Sequence, residues 1–164
     1  EDEILEEIES SKDTYIFLNE PNKYAEVYLF EDFPTYDDIS VFIKNNSTNQ
    51  YVGNKNEKYT ILFVRGMINY IEDFDSCIQK RDEIVEILSG VLPNAQKTEN
   101  VFEHSADPSG NSIVDAVYFA YDSGGGATVH CINFEENFRI NNNQNEGLDV
   151  AIRSEEIISW FRDR

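Results

Sequence analysis

Two cysteines, Cys77 and Cys131, are the whole thiol complement of this 164-residue chain, and they constrain its fold more than any other feature. Neither lies in a Cys-x-x-Cys motif or at zinc-ligand spacing with a histidine. The even pair therefore reads as a structural disulfide in an oxidising compartment or as two buried thiols in a reducing one, and the disulfide is our working expectation. Joined, the two sulfurs close a long loop and contribute on the order of 4 kcal/mol by restricting the unfolded chain. They also require the elements that carry them to pack with Cα atoms within ~7 Å.

Those elements are legible. Asp73-Phe74-Asp75-Ser76 is suited to capping a helix N-terminus. From about Asp75 to Gly90, Cys77, Ile78, Ile84, Val85, Ile87, Leu88 and, just beyond, Val91 recur at helical spacing against a charged face, with Gly90 and Pro93 as the stop. Ile113–Tyr121 and Ala127–Phe134 are strand-like runs around a Gly-rich turn, Asp122–Gly126, and so form a hairpin. Alternation places Val129 and Cys131 on one face of that hairpin and His130, Ile132 and Phe134 on the other. A disulfide then pins the helix to the Val129/Cys131 face, leaving the opposite face to the N-terminal segments or a terminal helix.

The remaining chain is read as follows. Residues 2–11 form a short acidic amphipathic helix, with Ile4, Leu5 and Ile8 on one face. Thr14–Asn19 and Ala25–Glu31 are strands joined by a turn at Pro21-Asn22. Phe33-Pro34-Thr35 interrupts pairing, and Ile39–Lys44 is either a strand or a short helix. Asn45–Lys58 is an exposed Asn-rich loop or hairpin tip. Tyr59–Tyr70 is the strongest strand signal. Gln96–Ser105 leads through the Asp107–Asn111 turn into the hairpin, Asn141–Gly147 is a second Asn-rich loop, Leu148–Arg153 is a short strand, and a helix follows over about 154–162. The expected class is α+β: one domain, an antiparallel sheet, a central amphipathic helix over about 75–90, a C-terminal helix and a short N-terminal acidic helix. Residues 1–57 and 58–164 are the natural subregions, the second a β-α-β-β-β-β-α core.

Charge narrows the partners. Thirty-two Asp and Glu stand against 13 Lys and Arg, a formal net charge of -19, which repels phosphate backbones and anionic membrane surfaces. Nucleic acid is not an expected partner, nor is membrane insertion, since no window approaches ~18 consecutive apolar residues. The opening at Glu1 rather than Met is read as a mature or trimmed product.

Few constellations point to chemistry. Cys77 near a helix N-terminus, with His104 or His130 as base, has the outline of a cysteine hydrolase; Asp73 and Asp75 disfavour a thiolate there, and no oxyanion motif accompanies it. Asp73, Asp75, Asp107, Ser109 and Asn111 offer oxygen ligands of the kind calcium takes, without EF-hand spacing. Turn formation alone explains Asp107–Asn111, and helix capping suits Asp73 and Asp75, so no metal site is expected. Gly124-Gly125-Gly126 lies between strands rather than before a helix, so no phosphate loop and no cofactor are expected.

The resulting expectation is an exported, periplasmic or extracellular, non-enzymatic acidic module that binds an unidentified protein or small ligand. One alternative is an acidic inhibitor of the immunity type, cytoplasmic, acting on a basic partner. The other is the Cys77 hydrolase.

Overall fold

The computed structural model describes residues 24–29, 33–46 and 59–163. The expected N-terminal acidic helix, Thr14–Asn19 strand and Pro21-Asn22 turn, and most of the expected Asn-rich loop, lie outside them. The described chain is a seven-stranded antiparallel sheet with three helices, an α+β fold.

The strands are β1 (Tyr24–Leu29), β2 (Asp38–Asn45), β3 (Tyr59–Asn69), β4 (Gln96–Glu103), β5 (Ile113–Ala120), β6 (Gly126–Asn133) and β7 (Gly147–Arg153). They are ordered β1-β2-β3-β7-β6-β5-β4. Helix α1 (Phe74–Val91) carries the chain from β3 in the middle to β4 at the far edge, and β4 to β7 then return as a meander. β7 closes the sheet by pairing with both β6 and β3. Residues 38–45 resolve as strand rather than helix because Ile39, Val41 and Ile43 alternate with Ser40, Phe42 and Lys44, so each set faces one side between two neighbours.

α1 starts where its cap predicts: the Asp73 carboxylate accepts the Ser76 N–H at 3.2 Å. The helix runs through Gly90 to Val91, and Leu92 caps it by donating its N–H to the Leu88 carbonyl. Gly90 is thus an ordinary helical residue, because the stop comes from Pro93 and needs no left-handed glycine. Cys77, Val85 and Leu88 face the sheet and meet Val117, Phe119, Ala127, Val129, Cys131 and Leu148 in the main core. The Cys77 and Cys131 sulfurs lie 2.06 Å apart, with Cα atoms 5.9 Å apart, and both residues are fully buried. Arg81, one turn on, forms an ion pair with Asp115 of β5 on the same face.

The hairpin turn between β5 and β6 needs its glycines. Gly124, Gly125 and Gly126 all have positive φ, and a Cβ on Gly126 would fall 1.8 Å from the Phe119 carbonyl oxygen.

Sequence reasoning missed one element. Residues 136–142, divided at sequence level between no assignment and an Asn-rich loop, form helix α2 (Glu136–Asn142). The Glu135 carboxylate caps it by accepting the Phe138 N–H at 2.7 Å, and Asn143 ends it in the left-handed conformation. Seven residues contain no repeated apolar spacing to announce a helix.

Helix α3 (Glu155–Arg162) begins at Ser154, whose hydroxyl accepts the Ile157 N–H. It covers one end of the sheet face opposite α1: Ile157 is buried with Tyr24, Phe42 and Leu62. The Trp160 ring centroid lies 5.1 Å from that of Tyr24 and 5.7 Å from that of Phe42.

Candidate functional site

Alternation along β7 aims Asp149, Ala151 and Arg153 at the face opposite α1, and antiparallel pairing aligns neighbours on that face. Ala151 stands opposite Arg65 of β3 and Thr128 of β6. Asp149 stands opposite His130, and Arg153 opposite Phe63. Tyr118 of β5 lies opposite Thr128. A ring of long polar side chains thus surrounds the Ala151 methyl, which is fully buried at its floor.

Two guanidinium groups meet there in a chain with few cations, and they are held differently. Arg65 donates from Nε at 2.7 Å and from Nη2 at 2.5 Å to the same oxygen, Oδ2 of Asp149. Arg153 lays its guanidinium over the Phe63 ring, 5.4 Å from the centroid, and forms no hydrogen bond or ion pair among the described residues. Burial disfavours its charge, an effect that Asp149 offsets and Arg65 reinforces. A guanidinium stacked on an aromatic face keeps its N–H fork free for a planar oxyanion.

Beside it are two unanswered polar atoms. Thr128 is 7% exposed, and its Oγ1 has no hydrogen-bond partner among the described residues; neither has His130 Nε2. Burial pushes the His130 imidazole below the ordinary histidine range; Asp149 opposes the shift, and Arg153 and Arg65 add to it. Its ring meets Tyr118 edge-on at 5.3 Å. Burial also raises the Tyr118 phenol, which Arg153 partly counters. Buried hydroxyl and imidazole groups without partners are uncommon because each forfeits its hydration. Chemically the ring offers one uncommitted cation, the Thr128 and Tyr118 hydroxyls, an imidazole whose neutral form is favoured by burial, and one carboxylate already engaged by Arg65.

The residues singled out from sequence fall elsewhere, apart from His130. Cys77 is bonded to Cys131 and has no thiol in this form. Cys131 and His130 are consecutive on β6 and point to opposite faces, so the sheet separates Cys77 from that histidine. His104 packs against Phe134, ring centroids 4.7 Å apart, at the end of β4. Asp73 caps α1, and Asp75 lies exposed in its first turn.

Asp107 organises its own turn. It accepts the Ser109 N–H and hydroxyl at 2.9 and 2.8 Å and the Ser112 N–H and hydroxyl at 3.1 and 2.6 Å. The Ser112 hydroxyl above all, with the Ser109 groups, holds its carboxyl down to about 2. The Asn111 N–H donates to the Ser109 hydroxyl at 3.2 Å. These oxygens are spent on the loop itself, and no cluster of three His, Cys, Asp or Glu suited to a metal occurs among the described residues.

A cleft of about 260 Å³ lies where β6 ends and β7 begins, lined by Glu72, Asn133, Phe134, Glu136, Arg139 and Glu146. Its buried carboxylate is fully used: Glu146 accepts the Glu72 N–H at 2.6 Å and the Phe134 N–H at 3.2 Å, tying the turn before α1 to the end of β6.

Arg65, Asp149, Arg153, Thr128 and Tyr118 escaped sequence reasoning. The available signal was a charge at a buried-parity position inside a strand: Arg65 within an otherwise apolar run, and the alternation Asp149, Ala151, Arg153. No helix of the described chain is long and apolar enough to cross a membrane. Comparison with protein-family models, with curated proteins and with solved structures finds no match to this chain.

Proposed function

We propose that this chain is a non-enzymatic binding module of an oxidising, extracytoplasmic compartment that holds a small oxyanion-bearing ligand, a carboxylate in the first instance, over Ala151. The observation that carries the reading is the juxtaposition of Arg153, which lacks an ion-pair partner among the described residues, with the buried and unpartnered Thr128 hydroxyl. A carboxylate between them accepts from the guanidinium fork and the hydroxyl together and removes two desolvation costs. The Cys77–Cys131 bond supports the compartment, since such bonds persist where thiols are kept oxidised.

A net charge of -19 repels free anions at long range. The favoured ligand is therefore one whose remaining portion is neutral or cationic, such as an amino acid or a short peptide end. Calorimetric titration with glycine, acetate and sulfate tests this: saturable binding that Arg153→Met abolishes supports the reading, and identical heats for both proteins refute it.

The same net charge favours a second reading, an acidic inhibitor of a basic protein. That reading predicts affinity for a cationic partner that falls steeply with salt and is unaffected by Arg153→Met.

A further inference from the structure

The two edges of the sheet differ. On β1, Tyr24 and Val27 are buried, whereas all eight residues of β4 are exposed, Val101 at 61% and Phe102 at 39%. The direction of the β4 backbone groups follows from two hydrogen bonds. The His104 N–H donates to the Ser112 carbonyl, continuing the β4–β5 register, and the Tyr121 N–H donates to the Gly125 carbonyl, continuing the β5–β6 register. In an antiparallel ladder hydrogen-bonded pairs alternate with unbonded ones. Even-numbered residues of β4 therefore bond to β5, and Lys97, Glu99, Val101 and Glu103 turn their N–H and C=O groups outward.

This edge is complementary to itself. When a second copy of the strand is laid antiparallel with Asn100 on the two-fold axis, all four outward residues pair with outward residues. Lys97 then faces Glu103 of the second copy at both ends, and Glu99 faces Val101. On the other side Thr98 faces Phe102. Sliding by one residue pair in either direction sets Glu99 against Glu99 or against Glu103, a like-charge contact that destabilises cross-strand pairing. Only the full-overlap register joins the greatest number of backbone bonds to opposite charges. We propose that two copies of this chain associate through β4 in that register, joining the seven described strands of each copy into one continuous sheet. The large negative charge of each copy opposes association at low ionic strength, so added salt strengthens the dimer until repulsion is screened. The inference does not rest on the oxyanion site, whose centre, Ala151 on β7, lies three strands from this edge.

Sedimentation velocity at ~0.5 mM protein, in ~20 mM and ~500 mM sodium chloride, where screening lengths differ several-fold, tests it. The expected result is monomer at low salt and dimer at high salt. Lys97→Glu alone and Glu103→Lys alone each place like charges at both ends and reduce the dimer at least tenfold, and the double swap restores it. Val101→Pro removes an outward N–H, costs no bond within the chain and leaves a monomer, with unchanged circular dichroism as the folding control. A monomer at high salt overturns the proposal. So does a dimer indifferent to these substitutions, or capture of a basic strand-forming peptide by a chain that stays monomeric.

Discussion

Thr128 and Arg153 stand diagonally across Ala151 on adjacent strands, one with a buried hydroxyl and the other with a stacked guanidinium, and neither has a hydrogen-bonding partner among the described residues. Everything proposed about ligand binding follows from that pair and from Asp149, which neutralises Arg65 and leaves Arg153 as the uncompensated charge.

Asp149 therefore works against an anion. Asp149→Asn releases Arg65 while keeping the shape, and is expected to tighten oxyanion binding several-fold. It should also destabilise the protein by about 1–3 kcal/mol, the scale of a hydrogen-bonded, half-buried charge pair that loses one member. Arg153→Met should lose binding with stability little changed. Titration calorimetry and chemical denaturation of the two variants check the opposite signs.

The disulfide is expected to dominate stability. Reduction, or Cys77→Ala with Cys131→Ala, should lower the unfolding free energy by about 4 kcal/mol, the value for a closed loop of this length. Urea denaturation measures it. Thiol titration of the unfolded, unreduced protein should find no free thiol.

Acid should act through two groups at separate pH values. Burial lowers the His130 pKa in the folded chain, so the unfolded chain binds more protons and stability falls as pH drops through and below ~6.5. His130→Gln should flatten that segment of the curve. The hydrogen-bonded Asp107 carboxyl, held at about 2 in place of 3.8, contributes stability present above the unfolded value and lost as pH falls from ~4 towards 2. Asp107→Asn should remove this acid limb. Thermal unfolding at closely spaced pH values separates the two.

Much of the fold was legible because its signals are local. Asp73 announced α1, Gly124 to Gly126 announced the hairpin, and Ser154 announced α3. The alternation of Val129 and Cys131 told which hairpin face the helix covers. What was not legible depends on partners distant in the chain. Leu148–Arg153, six of the seven residues of β7, read as a strand, yet nothing within them says that they lie between β3 and β6. That insertion alone brings Arg65 beside Asp149, and Thr128 beside Arg153. Helix α2 was lost because its cap is Glu135, a residue type that seldom caps, and because the loop-like Asn141 and Asn142 close it.

The ring around Ala151 is tested most directly by nuclear magnetic resonance of the isotopically labelled protein titrated with glycine and with acetate. The account predicts saturable shifts centred on the Thr128 and Ala151 methyl groups and the His130 ring, with the Arg153 Nε–H moving in step and the whole pattern absent in Arg153→Met. Shifts confined to other surfaces, or none up to ~100 mM ligand, beyond the millimolar range in which a weak site saturates, would contradict it.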